Sequence, residues 1–345
     1  MASAFEAARH ARRLATVLDD FAVVPLLRAG LRLGLCEALR TPQSPATLAE
    51  RLGLAPDLVA AWARMLHAQG WLARKGDSYR LAPSLAWLLD APEAGALHAL
   101  LDTAVDTMGP RLASLPALLK GGERPLFGGR DDGPRMAAIT RMVQPRALRA
   151  LERIPGARRP RRVLDIGCGQ GHYLADLLRR FRDSLGVGIE IDPRVAEEAR
   201  RRLAEADVTR RAEIRVGDFL AMEPPSGRFD LVLLNHNLHY FSPPQRVALL
   251  RRARACLEEE GVLAVQTLVL TEGLLPSLLG LQGGAALFDL VLRTHRNLHG
   301  LPAVEEVHRA LREAGFATTG EVPVVPGGAV RFVWGAEREA PSTTR

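Results

Sequence analysis

The chain has 345 residues, of which 47% are hydrophobic and 25% are charged. This composition is that of an ordinary globular protein and excludes a wholly disordered, collagen-like or coiled-coil chain. The length predicts two domains, since a domain usually takes about 100–200 residues. The net charge is +7, but the basic residues are almost all arginine and stand in short clusters interleaved with acids. We interpret these clusters as solvated helix faces, because a polyanion partner calls for longer blocks of like charge.

Cysteine usage and the distribution of apolar residues indicate the compartment. Cys36, Cys168 and Cys256 are far apart and form no Cys-x-x-Cys pair, which argues against a disulfide scaffold or a cysteine zinc site. Residues 1–20 lack the apolar centre of a secretory signal. The apolar stretch 274–292 approaches the length of a membrane span, but its proline and glycines favour buried helices that line an apolar pocket. We therefore expect a cytoplasmic protein without a membrane segment.

The residue pattern divides the sequence into three regions and a C-terminal tail, which predict the domain organisation. Residues 1–90 are helical and end in a short hairpin, and we expect them to form a winged-helix dimerisation domain. Residues 91–157 are helical with a glycine-rich loop, which indicates a linker that also borders the substrate pocket. Residues 158–338 alternate short β-branched runs with helical patterns, as an α/β domain does. The tail, residues 339–345, is predicted to be disordered.

Residues 44–81 have the pattern helix, turn, helix and wing. Ser44 caps a first helix, Asp57 caps a second helix that ends at Gly70, and two short strands flank the turn at 75–78. A winged helix can place its second helix in the major groove of DNA. The second helix here offers few polar side chains to read bases, and the wing has little net charge. We therefore favour a packing and dimerisation module over a nucleic-acid binder.

The most informative stretch is 162–171, Arg-Val-Leu-Asp-Ile-Gly-Cys-Gly-Gln-Gly, where an apolar strand ends at Asp165 and enters a glycine-rich loop. Because glycine lacks Cβ, the backbone of such a loop can approach a ligand closely. A second buried strand ends in Glu190, where nucleotide-binding α/β folds carry an acid for the ribose hydroxyls. A third strand ends in Asp218 and Phe219. The glycine spacing matches neither the dinucleotide fingerprint nor the P-loop.

The order of these strand-end motifs resembles that of the class I S-adenosylmethionine-dependent methyltransferases. Over residues 15–335 the chain resembles the small-molecule O-methyltransferases typified by plant caffeate and hydroxyindole enzymes and bacterial antibiotic tailoring enzymes. The resemblance implies a seven-stranded Rossmann-like domain, S-adenosylmethionine as cofactor with S-adenosylhomocysteine as product, and an N-terminal module that forms a homodimer. The cofactor residues that it implies are Asp165, Gly167, Gly169, Gly171, Glu190 at the ribose, Asp218 and Phe219 at the adenine, and Asn235.

The segment after the fourth strand, 234–241, reads Leu-Asn-His-Asn-Leu-His-Tyr-Phe. The family has Leu-His-Asp-Trp here, so the resemblance implies that His239 is the general base, although Tyr-Phe replaces the last two residues of that motif. A histidine with a pKa of about 6.5 can take the proton of a phenol at the moment of transfer. The glutamate that orients this histidine in the family is not identifiable, and Glu272 and Asp289 are the candidates.

Histidines gather around the expected substrate, which leaves a metal site open as an alternative. His236 and His239 share one segment, and His295 and His299 stand four apart in another, which predicts one face of a helix. Converging imidazoles can bind zinc or iron, with His239, His295 and His299 as ligands. Tyr240 stands where related metal enzymes have an acid ligand, so we favour a mixed polar pocket without a metal.

The sequence therefore predicts an enzyme that transfers a methyl group from S-adenosylmethionine to a small molecule in secondary metabolism, at a hydroxyl. One alternative is an enzyme of the same fold that methylates carbon or nitrogen, with a metal where the acceptor is a 2-oxo acid. Another alternative is a regulator that uses its winged helix on DNA. The residues do not name the acceptor.

Overall fold

The computed structural model of the chain divides into two compact units, Met1–Ala113 and Ser114–Arg345. The region predicted as a linker, 91–157, contributes helices to both units. The predicted tail, 339–345, lies outside the described residues. The structure describes residues 4–91, 94–128, 132–270 and 281–337.

The first unit is helical apart from one hairpin. The hairpin strands are β1 (Leu72–Lys75) and β2 (Ser78–Leu81), which pair antiparallel. A π-helical turn, Ala104–Met108, precedes the last helix of the unit. The described helices are α1 (Ala4–Arg32), α2 (Leu35–Ala38), α3 (Pro45–Leu52), α4 (Pro56–Ala68), α5 (Pro83–Asp90), α6 (Ala94–Thr103) and α7 (Gly109–Ala113).

The predicted order of helix, turn, helix and hairpin is present in α3, α4, β1 and β2. The Ser44 hydroxyl accepts a backbone N–H of the first turn of α3, and Gly53, with φ of 65°, ends that helix. Trp62 and Leu66 of α4 are buried, and the indole N–H of Trp62 donates to the carbonyl oxygen of Leu26 in α1. One face of α4 is therefore used in packing within the unit.

The second unit is a seven-stranded sheet covered by helices. Two short 3₁₀ turns, Thr209–Arg211 and Leu238–Tyr240, precede β5 and α13. The strands are β3 (Arg162–Ile166), β4 (Leu185–Glu190), β5 (Ala212–Val216), β6 (Phe229–Asn235), β7 (Leu257–Leu268), β8 (Thr318–Pro323) and β9 (Val330–Ala336). The described helices are α8 (Leu115–Leu119), α9 (Asp132–Arg141), α10 (Gln144–Leu151), α11 (His172–Arg180), α12 (Pro193–Glu205), α13 (Pro243–Ala255), α14 (Leu281–Arg293) and α15 (Val304–Glu313).

The strand order confirms the predicted Rossmann-like fold. The sheet runs β5-β4-β3-β6-β7-β9-β8, the first five strands are parallel, and β9 is antiparallel to both of its neighbours. The chain proceeds outward from β3 to β5 and then returns to the other side of β3 with β6. In open α/β sheets, ligands bind at the carboxyl ends of the strands where the order reverses in this way.

Both faces of the sheet are buried, which explains why its central strands read as continuous apolar runs. Successive side chains of a strand point to opposite faces. Leu231 and Leu233 of β6 therefore pack against α10, α11 and α12, whereas Val232 and Leu234 pack against α13 and α15. The sheet is thus held between two helical layers.

The apolar stretch 274–292 is described from residue 281 onward, where it forms α14. Ala285 and Leu292 of α14 are buried with Leu298 and Leu301 in a small apolar cluster. This part of the stretch is therefore a packed helix, as the sequence predicts. In the described part of the chain, no helix combines the length and the apolarity needed to cross a membrane.

Candidate functional site

A cavity of about 1150 Å³ lies at the carboxyl ends of β3, β4 and β6, where the strand order reverses. Its volume is above the roughly 300–1000 Å³ of typical small-molecule pockets, so it offers room for two molecules side by side. All of the predicted cofactor residues except Gly171 line it: Asp165, Gly167, Gly169, Glu190, Asp218, Phe219 and Asn235.

The glycine loop needs glycine for two different reasons. Gly167, Gly169 and Gly171 have φ angles of 67°, 55° and 73°, in the left-handed region that other residues rarely adopt. A Cβ on Gly167 would lie 2.7 Å from the Asn237 side-chain nitrogen, so the loop also approaches the segment after β6 closely. A Cβ on Gly171 would lie 3.2 Å from the Cβ of Ala199 in α12. Gly171 therefore allows helix packing behind the loop, whereas the other two border the cavity.

Glu190 is held with both carboxylate oxygens oriented. Oε2 accepts the Gly169 N–H at 3.0 Å, and Oε1 accepts the Asp192 N–H at 3.0 Å. The residue is buried at the end of β4 and lines the cavity. An ionised carboxylate offers about four acceptor positions, so each oxygen can accept a further hydrogen bond from a ligand. Two hydroxyl groups on adjacent carbons are suited to such a pair of oxygens.

Asp165 is almost completely buried at the end of β3. Its Oδ1 accepts the Asn235 side-chain N–H at 3.3 Å, and its Oδ2 has no hydrogen-bond partner among the described residues. Burial raises the pKa of Asp165 to about 7, the hydrogen bond from Asn235 lowers it, and the nearby Glu190 carboxylate raises it. An unpaired buried acceptor is costly, so this corner of the cavity favours a ligand that brings a donor or a positive charge.

Asp218 and Phe219 follow β5 and border the cavity beside the Glu190 end. Asp218 Oδ1 accepts the Leu220 N–H at 2.9 Å, which fixes the turn. Phe219 is buried, and the guanidinium of Arg252 lies 5.5 Å from its ring centroid. The aromatic ring therefore offers an apolar surface to the cavity, of the kind on which a flat heterocycle packs.

His239 lies on the 3₁₀ turn after β6 and is half-buried. Its ring centroid is 4.6 Å from that of Tyr240 and 6.2 Å from that of Phe288 in α14. Burial is the main cause that lowers the pKa of His239 to about 3, and His236 and Arg246 contribute to the same lowering. The imidazole is therefore neutral at physiological pH. Tyr240 lines the cavity, whereas His239 is not among the residues that line it.

His236 has an unusual backbone for a residue other than glycine, with φ of 54°. Its N–H donates to the carbonyl oxygen of Gln266 at 2.8 Å, and the residue lines the cavity. Its buried Nε2 has no hydrogen-bond partner among the described residues. Burial lowers the pKa of His236 to about 4, so this imidazole is also neutral. Left-handed residues of this kind concentrate at functional sites.

The prediction that His295 and His299 share a helix face is wrong, because α14 ends at Arg293. The Thr294 hydroxyl donates to the Val291 carbonyl oxygen and competes with the helical hydrogen bonds there. Both histidines therefore lie in the irregular turn that follows. Among the described residues, no group of three or more His, Cys, Asp or Glu side chains could hold a metal ion. His295 and His299 therefore do not form a set of metal ligands with His239.

The turn that carries His239 is held by an arginine. Glu272 lies outside the described residues, and Asp289 accepts hydrogen bonds from Arg293 and from the Leu301 N–H. The buried Arg246 donates from Nε to the Leu238 carbonyl oxygen at 3.0 Å and from Nη2 to the Gly300 carbonyl oxygen at 2.8 Å, which fixes the turn that carries His239.

Met136 and Thr140 of α9 line the cavity and fall in the stretch 136–142, whose apolar residues predict a wall of the substrate pocket. Sequence reasoning missed the side chains that line the cavity from α10 and α11. No motif marks them, because each reads as an ordinary residue of an amphipathic helix, and only the fold brings them to the cavity. They are Gln144, His172 and Tyr173.

Comparison with known proteins identifies the central part of this unit. Residues 163–261 match the family described as methyltransferase domain. The phenazine O-methyltransferase of Lysobacter antibioticus is 36% identical over 111 residues, which are 32% of this chain and 32% of that one. The tetracenomycin polyketide synthesis 8-O-methyl transferase of Streptomyces glaucescens is 26% identical over 283 residues, 78% of this chain and 80% of that one.

Among solved structures, the mitomycin 7-O-methyltransferase superposes with a TM-score of 0.78 at 22% identity, over 96% of this chain and 99% of that one. This likeness shows the fold. The chain matches the first four curated relatives over 32% to 41% of their own length. Residues 163–261 therefore match the methyltransferase domain family, and the chain around them shares the fold of the mitomycin 7-O-methyltransferase.

Proposed function

We propose that the chain is an S-adenosylmethionine-dependent methyltransferase that methylates a hydroxyl group of a small molecule in secondary metabolism. The observation that carries this proposal is one cavity that is lined by the predicted cofactor residues and is also bordered by Phe127 and Tyr240. A methyltransferase must hold cofactor and acceptor side by side, and the volume of the cavity allows it. The O-methyltransferase relatives support the choice of oxygen.

The residues present fit the cofactor. Glu190 has free acceptor positions for the two ribose hydroxyls, and Phe219 offers a surface for the adenine. The unpaired buried Oδ2 of Asp165 suits a ligand that carries an ammonium group, as S-adenosylmethionine does at its methionine end. When bound, the cofactor supplies a reactive sulfonium methyl group. Every other part of the task is positioning, which falls to the residues at the strand ends.

His239 is the proposed general base. Its neutral imidazole can accept the hydroxyl proton of the acceptor, and the contacts of Arg246 hold the turn that carries it. The low pKa makes it a weak base in this environment, so its contribution depends on the acidity of the acceptor. A phenol suits such a base better than an aliphatic alcohol does, because the phenol is more acidic.

A second candidate is methyl transfer by proximity alone, to a nucleophile that needs no base, such as a neutral amine. One observation favours it, namely that His239 is not among the residues that line the cavity. Effective concentration alone can supply a large part of a rate enhancement. The metal-assisted alternative has no comparable support, because no cluster of metal ligands occurs among the described residues.

Labelled S-adenosylmethionine and a panel of phenols, 2-oxo acids and amines test the proposal. We expect transfer to a phenol, with His239→Ala lowering kcat by about 10²–10⁴-fold while cofactor affinity stays nearly intact. The loss should shrink at high pH, where the phenol ionises without help. His299→Ala is the matched control and should cost much less. Transfer to amines alone, or an active His239→Ala variant, contradicts the base assignment.

We further propose that the chain forms a homodimer through α1. Leu14, Val17, Leu18 and Phe21 recur at helical spacing and are more than half exposed. A contiguous apolar stripe of this kind on a single chain indicates a protein contact.

A further inference from the structure

The acceptor side of the cavity is bordered by a short irregular segment, residues 124–128, which we call the Phe127 segment. Phe127 and Gly128 line the cavity. Asn297 Oδ1 accepts the Phe127 N–H at 2.8 Å, and Asn297 Nδ2 donates to the Phe127 carbonyl oxygen at 2.9 Å. The Arg296 N–H donates to the Pro125 carbonyl oxygen at 3.0 Å. One side-chain amide thus satisfies both backbone groups of the residue that borders the cavity.

Asparagine is specifically suited to this contact. Its amide carries an acceptor oxygen and a donor nitrogen on one short, planar group, so it can pair with an N–H and a C=O of the same residue. Aspartate retains only the acceptor, and alanine retains neither. Loss of the amide would leave two half-buried backbone groups of Phe127 without these partners, which the segment can remedy only by moving.

The contact fixes the position of an aromatic ring. The Phe127 ring meets the His295 ring edge-on, with centroids 5.5 Å apart, and lies 6.3 Å from the Tyr240 ring. It also packs against the apolar cluster that includes Phe288 and Leu292 of α14. Aromatic groups in such offset and edge-on contacts form a stable, dense surface. The Phe127 segment is therefore a packed wall of the cavity.

The same turn also holds the proposed base. The His299 N–H donates to the His239 carbonyl oxygen at 2.6 Å, and the Gly300 carbonyl oxygen accepts from Arg246. Residues 296–300 therefore contact the Phe127 segment through Asn297 and the His239 turn through His299. The distance between the aromatic wall and the base is set by one short stretch of chain.

We propose that Asn297 is a specificity-determining positioning residue, whose side-chain amide fixes Phe127 as one wall of the acceptor subsite. The inference rests on the proposed function, because the subsite is that of the methyl acceptor. The rings of Phe127 and Tyr240 in this wall favour a planar ring in the acceptor, and the hydroxyl group follows from the proposed function. Neither Phe127 nor Tyr240 is among the residues proposed to hold the cofactor. Changes in the acceptor subsite can therefore be measured apart from cofactor binding.

The test uses the full chain with S-adenosylhomocysteine bound and 2-naphthol, a planar and fluorescent phenol, as the probe. We expect Asn297→Ala to weaken 2-naphthol binding about tenfold, because binding must then order the Phe127 segment that two hydrogen bonds hold in the wild type, while the affinity for S-adenosylhomocysteine changes less than twofold. The 2-naphthol affinity of Asn297→Asp, which keeps the acceptor oxygen, should lie between those of the wild type and Asn297→Ala. Arg296→Ala is the matched control, because its side chain is exposed and its contribution is a backbone N–H.

Hydrogen exchange of the peptide that contains residues 121–128 provides a second readout. Exchange should be faster in Asn297→Ala and unchanged in Arg296→Ala. Faster exchange with unaltered 2-naphthol affinity would show a merely structural contact and overturn the proposal, as would equal losses of probe and cofactor-product affinity, or a wild-type chain that does not bind 2-naphthol. A chain that binds 2-naphthol as expected but transfers methyl to no member of the panel overturns the proposed function instead.

Discussion

At the scale of single residues, Glu190 gives the most direct test of the cofactor site. Its two oxygens are already aligned by backbone N–H groups, so replacing it removes acceptors without altering the sheet. We expect Glu190→Ala to weaken S-adenosylmethionine binding by about 1.5–3 kcal/mol, which is tenfold or more, in isothermal titration calorimetry. Glu197→Ala, on the exposed face of α12, is the control. Unchanged affinity in Glu190→Ala contradicts the ribose assignment.

Asp165 predicts a pH dependence of stability. Burial raises its pKa to about 7 in the folded chain, above its value near 3.9 in the unfolded chain. The neutral form therefore stabilises the fold fully below pH 4, and this contribution is lost as the pH rises through 7. Asparagine does not ionise, so the Asp165→Asn variant does not lose this stability as the pH rises. Without cofactor, we expect the variant to gain at least about 1 kcal/mol relative to wild type between pH 4 and pH 8 in urea unfolding. A difference that is independent of pH refutes this account.

A functional residue can be predicted from the sequence when it stands in a local pattern, and not when it acts through groups that are distant along the chain. Asp165 and Glu190 could be found because an acid at the end of a buried strand is a local pattern. Arg246 and Asn297 could not, since they act through backbone carbonyl and N–H groups that the fold brings near. His295 was misplaced because the Thr294 hydroxyl ends α14 early, and a helical spacing of histidines does not show where a helix stops.

At the scale of elements, one arginine joins the end of α11 to the strand beside it. Arg211 donates to the carbonyl oxygens of Leu178, Phe181 and Ser184 at 2.8 to 3.2 Å. The Leu178 and Phe181 carbonyl oxygens lie at the carboxyl end of α11, where a positive charge is favourable, and Ser184 directly precedes β4. We expect Arg211→Ala to lower the free energy of unfolding by about 1–3 kcal/mol in chemical denaturation.

The neighbouring residue provides the control for that prediction. Arg210 is exposed, so Arg210→Ala should change the free energy of unfolding by less than about 0.5 kcal/mol. Equal effects of the two substitutions would mean that the contacts of Arg211 are replaced by water without cost.

Some strands can be predicted from their local pattern of apolar residues, and others cannot. The β3 and β6 strands were predictable because their apolar runs match strands buried on both faces. The start of β7 at Leu257 was not, since the acids of 258–260 do not read as part of a strand, and pairing with β6 shifts register between Phe229 and Leu231. The Rossmann-like fold was implied by the resemblance, but the strand order was not predicted, because no local pattern encodes which strands become neighbours.

At the scale of the whole molecule, the amphipathic pattern of α1 serves two purposes. Its second half is used within the chain, where Val23 and Leu27 are buried in the core of the first unit. Its first half exposes Leu18 and Phe21 by 61% and 73%. The sequence predicted one continuous stripe, and it could not show where burial by the chain's own core ends. The exposed half is the part that remains available to a second copy.

We therefore expect a homodimer with a two-fold axis, in which the exposed half of α1 packs on its counterpart. Leu18→Glu combined with Phe21→Glu should convert the protein to a monomer in light scattering at micromolar concentration, because the charges cannot be buried unpaired. The monomer should stay folded, since the core around Val23 is untouched. Thr16→Glu adds a charge to another face of α1 and should leave the dimer intact. A wild-type chain that is monomeric at this concentration contradicts the prediction, as does a dimer that persists in the doubly charged variant.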